Sequence, residues 1–150
     1  MRVARVRTVT TIARPPAAVF DYVTTPRYWP RWQPSSLSVT GDTGHSIDVG
    51  ERCTEQSIVA GRRGVTEWFV RERQPNTRWV IEAQPSPGGS GTITYTLTPD
   101  GAGTRFEREF EYEMPNLFLG LLDALVYRGR VETEAQDAMR RLKAVLEGSA

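Results

Sequence analysis

The chain has 150 residues, 39% of them hydrophobic, with 19 lysines and arginines against 18 acidic residues. That is the length of one domain, able to bury roughly 70% of its unfolded surface around a single core. Near-neutral charge with scattered arginines excludes nucleic acid as an expected partner, and the lack of a long apolar run predicts a cytoplasmic chain without membrane insertion.

Val3 to Ile12, rich in Val, Thr and Ile, reads as an opening strand. Pro15 and Pro16 suit the first turn of a helix, where a missing N–H leaves nothing unpaired, so a short helix should run through Val19, Phe20 and Tyr22 to Val23. Pro26 and Pro30 then break the chain, and the clustered Tyr28, Trp29 and Trp32 should plug one end of a core. From Ser35 onward, β-rich runs alternate with Gly, Pro, Asn and Asp, which predicts strands at 35–41, 51–60, 64–74, 77–84, 91–98 and 104–113. Their connections are too short for parallel crossovers, so about seven strands, counting the first, should form an antiparallel meander. His45 and Cys53 are the only histidine and the only cysteine. They read as a loop histidine and a structural thiol; a disulfide and a zinc site built on paired cysteines are excluded, and no metal or other cofactor is expected.

The last strand carries the clearest pattern. Thr104, Phe106, Arg108, Phe110, Tyr112 and Met114 fall on one face, and Arg105, Glu107, Glu109, Glu111 and Glu113 on the other. The same alternation turns Ile93, Tyr95 and Leu97 inward, as it does Trp79, Ile81 and Ala83, while on 64–74 Trp68 and Val70 form the better inward set and Val65, Glu67, Phe69 and Arg71 the competing one. After Pro115 the period becomes helical, with Leu121, Ala124, Leu125, Val131, Ala135, Ala138, Met139, Leu142, Val145 and Leu146 forming one stripe. Leu117 to Tyr127 is apolar almost all round, so this end is either buried on several sides or borders a cavity.

Three segments carry a family resemblance: Thr11-Ile12-Ala13-Arg14-Pro15-Pro16-Ala17-Ala18-Val19-Phe20, Tyr28-Trp29-Pro30-Arg31-Trp32 and Trp68-Phe69-Val70-Arg71-Glu72-Arg73-Gln74-Pro75. In this order, ahead of a long terminal helix, they resemble the helix-grip domains of the START-like, or SRPBCC, superfamily along the whole chain. The resemblance implies an α+β fold in one domain over 1–150. A curved antiparallel sheet of about seven strands would surround a long C-terminal helix, with a short helix pair after the first strand. It also implies a deep pocket of the kind that takes lipids, sterols, hormones or polyketides. Glu67-Trp68 and Thr104 to Glu111 are similar to the aromatic polyketide cyclases, whose catalytic arginine and tyrosine are not carried over to positions here.

Arg108 stands between Phe106 and Phe110 on the inward face, where a charge needs a partner. The partner is either a glutamate such as Glu67 or Glu72, with the side chain buried or snorkelling at a pocket rim, or an acidic oxygen of a ligand with Tyr95 or Tyr112 as hydroxyl partner. In the second case the guanidinium can stabilise an enolate during an aldol cyclisation, which makes Arg108, Tyr95 and Tyr112 the catalytic candidates. The candidate ligand wall is Trp68, Trp79, Tyr95, Phe106, Arg108, Phe110 and Tyr112 from the sheet, and Phe118, Leu121, Leu122 and Leu125 from the helix; core packing explains the aromatics equally well. Gly129 marks a weak point in that helix.

Two functions follow, and nothing in the residues specifies an oligomeric state. One is a carrier or sensor of a small hydrophobic molecule, polyketide-like or aromatic. The other is a polyketide aromatase/cyclase or dehydratase, against which stands the lack of an acid or histidine that the alternation turns firmly inward.

Overall fold

The first strand of the chain and the last meet in the sheet. In the computed structural model, which describes residues 3–59, 61–86, 90–113 and 121–148, strand β1 (Val3–Ile12) pairs antiparallel with the last strand, β7 (Gly103–Glu113), along its whole length. Between them run β2 (Ser36–Gly41), β3 (Arg52–Val59), β4 (Arg62–Gln74), β5 (Arg78–Ser86) and β6 (Gly91–Asp100). The seven strands form one antiparallel sheet in the order β1-β7-β6-β5-β4-β3-β2, the expected meander with its first strand returned to the last.

The helices follow the prolines. Helix α1 (Pro16–Val23) begins at Pro16, and a short 3-10 turn (Pro26–Tyr28) leads into α2 (Trp29–Trp32). Pro26 and Pro30 occupy first-turn positions of these pieces, so they start helical turns where the sequence reading had them break the chain. Two strands extend into their prolines for a related reason. Pro85 pairs with Thr66 of β4 beyond the last β5–β6 pair, and Pro99 pairs with Thr104 of β7 beyond the same ladder. Each lies where only one neighbouring strand remains, and a strand can tolerate a residue without an N–H there.

Helix α3 (Leu121–Gly148) lies against the sheet with Val131, Ala135, Ala138, Met139, Leu142 and Leu146 buried. Its C-terminal end is pinned to the start of the chain: Lys143 donates to the Thr11 carbonyl and to Glu147, which in turn accepts the Ala13 N–H at 2.8 Å. Leu125 departs from the expected stripe. It is 56% exposed, as is Val126 next to it at 53%, while the side chains of Leu121, Leu122 and Ala124 and all of Phe118 lie outside the described residues.

Two apolar clusters fill the interior. The larger joins Trp29, Trp32, Trp79, Tyr95 and Phe106 to Ala138, Met139 and Leu142 of α3; the smaller joins Ala4, Val6 and Tyr112 to Val131 and Ala135. Phe110 packs against both. The two sets therefore meet beside Phe110, and that junction positions the site.

Candidate functional site

Directly opposite residues in an antiparallel pair share a face, so register places side chains together. Arg108 stands opposite Thr8 on one side and Tyr95 on the other, and Tyr95 stands opposite Trp79. This row crosses the concave face. Trp79 stacks on Tyr95 at 5.3 Å, Phe106 meets Tyr95 edge-on at 5.0 Å, and Trp32 covers both from α2 at 6.3 and 6.5 Å. Trp68 joins the same aromatic body through Trp29, at 6.2 Å. Trp68, Trp79, Tyr95 and Phe106 are thus brought together as packed core, with Tyr95 and Phe106 at zero exposure.

Arg108 and Phe110 instead border a cavity of about 50 Å³. Its other walls are the α2–β2 connection, Gln33 to Ser35, and the inner side of α3 at Val131, Glu134, Ala135 and Ala138. The small alanines leave room that Leu or Phe would fill. Tyr112 lies next along β7, stacked on Phe110 at 4.9 Å, and Tyr127 of α3 meets it edge-on at 6.1 Å. Leu125 takes no part, being turned to solvent.

Arg108 is only 8% exposed, and its Nε has no hydrogen-bond partner. Its guanidinium lies 5.5 Å above the Phe110 ring, a favourable cation–π placement that leaves the Nε–H unused. The glutamates first considered as its partners are elsewhere. Glu72 binds Arg78 at 2.9 Å on the exposed side, and Glu67 stands next to inward-facing Trp68, hence on the other face of β4.

Among the described residues, the acid that does share the interior is Glu55 of β3, 6% exposed. It accepts a hydrogen bond from Trp68 Nε1 at 3.0 Å and is faced by the Ser36 hydroxyl of β2. Burial pushes its carboxyl up, and Ser36, Trp68 and the charge of Arg108 pull it back only in part. Burial likewise pushes the Tyr95 phenol up to about 12 against the pull of Arg108, and Tyr95 in turn feels Glu55. Arg108, Tyr95 and Glu55 therefore form one electrostatic group. Tyr112 is also raised to about 12 by burial, with Tyr127 adding to it, so both tyrosines stay neutral phenols at physiological pH.

Sequence reasoning missed Glu55, and a signal for it existed. Cys53, Glu55 and Ser57 alternate on β3, and Cys is among the most often buried residue types, so the phase of Cys53 turns Glu55 inward. Cys53 itself is a buried free thiol raised to about 12 by burial, and His45 sits on a loop, 2.6 Å from Glu51. Among the described residues no cluster of His, Cys, Asp and Glu could hold a metal, and no helix there is long and apolar enough to cross a membrane.

A seven-stranded antiparallel sheet wrapped on a long C-terminal helix, with two short helices after the first strand and a cavity under that helix, defines a helix-grip protein. The fold recurs in solved structures of low sequence identity. The Zhui aromatase/cyclase of a Streptomyces species superposes with a TM-score of 0.78 at 12% identity, covering 97% of this chain and 94% of that one. Protein MLL2253 of Mesorhizobium loti gives 0.74 at 20% identity, covering 98% and 99%. Major latex-like protein 151 of Panax ginseng gives 0.69 at 11%, covering 96% and 97%. Residues 3–147 match the family model described as polyketide cyclase / dehydrase and lipid transport, and the chain belongs to that family. No curated protein matches it by sequence.

Proposed function

We propose that the protein binds a small, mainly apolar molecule bearing an acidic oxygen, with that oxygen seated on Arg108 and the apolar body between β7 and α3. The observation that carries this reading is Arg108 itself: a buried guanidinium with an unpartnered Nε, opening on a cavity. A buried charge without a committed partner is costly, and an entering carboxylate, phenolate or enolate would relieve that cost with charge-assisted hydrogen bonds. A volume of about 50 Å³ holds an acidic group, and a larger apolar body requires α3 to move outward from β7.

The test uses two matched fluorescent probes, anionic anilinonaphthalene sulfonate and neutral N-phenyl-naphthylamine. Arg108→Met should weaken the anionic probe at least tenfold and leave the neutral one nearly unchanged, since a charged hydrogen-bonding partner is worth about 1.5–3 kcal/mol. Equal loss of both, or of neither, removes the reading. Arg108→Lys keeps the charge and separates it from the guanidinium geometry.

Catalysis in the same site is the second reading, favoured by the register that sets Tyr95 directly opposite Arg108. Arg108 would hold the developing enolate of a polyketide, and Tyr95 or Tyr112, both neutral phenols, would donate the proton in cyclisation or dehydration. A β-hydroxyketone thioester, followed by the absorbance of its dehydrated product, decides it. A rate above background that falls in Tyr95→Phe without loss of neutral-probe binding supports turnover; background rate at stoichiometric protein leaves binding alone.

A further inference from the structure

A second polar side chain borders the cavity that Arg108 enters, and it too has nothing to bind. Gln33 follows α2 directly, is 9% exposed, and stands on the wall that the α2–β2 connection gives the cavity. Its backbone is committed. The Gln33 N–H donates to the Trp29 carbonyl at 2.8 Å and closes α2, and the Gln33 carbonyl accepts the Ser36 N–H at 3.1 Å. Pro34 behind it disfavours a helical conformation, so Gln33 is extended, at φ −95° and ψ 113°, and the chain turns away from α2 there. The side-chain amide, by contrast, makes no hydrogen bond among the described residues. A buried amide without a partner is costly, as a buried guanidinium is.

We infer that Gln33 is the second half of the anion seat, and that the bound molecule is a carboxylic acid with one oxygen on the Arg108 Nε–H and the other on the Gln33 amide N–H. This rests on the reading that Arg108 seats an anion, and it narrows that anion from any acidic oxygen to a carboxylate. A cavity of about 50 Å³ holds only a few atoms, so a head group in it touches more than one wall. A carboxylate has two acceptor oxygens and can answer both donors at once. A phenolate or an enolate has one charged oxygen. Seated on Arg108, it leaves the Gln33 amide buried and unpaired, which is how a polar site rejects a ligand without the matching group.

The remaining walls add little polarity. Phe110, Val131, Ala135 and Ala138 are apolar, Ser35 is partly exposed and can turn its hydroxyl to water, and Glu134 has an interaction of its own.

The experiment compares pentafluorobenzoate and pentafluorophenolate, both ionised at neutral pH, with neutral hexafluorobenzene, their binding followed by fluorine NMR. The three share a ring and differ at the head group. The unaltered protein should prefer the carboxylate to the phenolate by about tenfold or more. Gln33→Met keeps the length of the side chain and removes its amide. It should weaken the carboxylate about tenfold and leave the phenolate and hexafluorobenzene nearly unchanged, so that the preference collapses. Equal loss of both anions in Gln33→Met, or loss of neither, overturns the inference; if Arg108→Met still weakens both, its anchoring role is spared. Failure of the unaltered protein to bind pentafluorobenzoate overturns it as well. Should Gln33→Met not fold, the isotope-labelled glutamine side-chain amides of the unaltered protein decide instead. One amide pair should shift with pentafluorobenzoate and not with pentafluorophenolate, and no shift, or the same shift with both, overturns the inference. Insensitivity of both anions to Arg108→Met removes the reading on which it rests.

Discussion

Arg108, Glu55 and Cys53 show how burial sets the chemistry of single residues. The Glu55 carboxyl lies above its ordinary value because desolvation outweighs its hydrogen bonds and Arg108. With the folded value above the unfolded one, its contribution to stability is complete below the unfolded pKa of about 4.3 and is lost as pH rises through the folded value. Glu55→Gln should accordingly gain melting temperature over the unaltered protein as pH is raised from about 4 to about 8, a gain that thermal denaturation at both pH values measures; a constant difference contradicts it. Cys53, raised to about 12, holds only about one part in ten thousand of thiolate at pH 8, so iodoacetamide should label it in urea and leave it intact in the folded protein.

Among the elements, α3 is pinned near its C-terminal end by Lys143 and Glu147 and exposes Leu125 and Val126 nearer its start. Leu142 is fully buried against the sheet, and Leu142→Ala should cost about 2–5 kcal/mol in denaturant unfolding. Leu125→Ala, at a residue 56% exposed, should stay within about 0.5 kcal/mol. Gly129 stands between the exposed Leu125 and Val126 and the buried Val131, and a Cβ there meets nothing within 4 Å. Gly129→Ala should therefore stabilise the helix by about 1 kcal/mol and slow the entry of a bound probe in stopped-flow fluorescence, if outward movement of α3 admits it. The β6–β7 turn is tight in a different way. A Cβ on Gly103 would lie 2.5 Å from the Ile12 carbonyl oxygen, a backbone atom that cannot step aside, so Gly103→Ala should lower the melting temperature markedly.

On the scale of the whole molecule, local pattern and long-range closure contribute separately. The alternation of Phe106, Arg108, Phe110 and Tyr112 against Arg105, Glu107, Glu109 and Glu111 predicted the inward face of β7, and the strand spacing predicted the seven-stranded meander, because pleat and short connections are local properties. The helical stripe was legible wherever α3 is covered, at Val131 to Leu146, and misleading at Leu125, because periodicity reports which side of a helix is apolar and not what lies beside it. Pairing of Arg108 with Glu67 or Glu72 failed for a related reason: closeness of type says nothing about face, and both glutamates stand away from it. The sequence by itself determined the strands, the inward faces of β5, β6 and β7, the buried position of Arg108 and the resemblance to a helix-grip family. Only the tertiary structure decided that Arg108 meets a cavity beside Phe110, and that Glu55 is the buried acid among the described residues. Those two residues sit on β7 and β3, separated by three strands in the sheet, and both are buried because the curved sheet turns them toward its inner face.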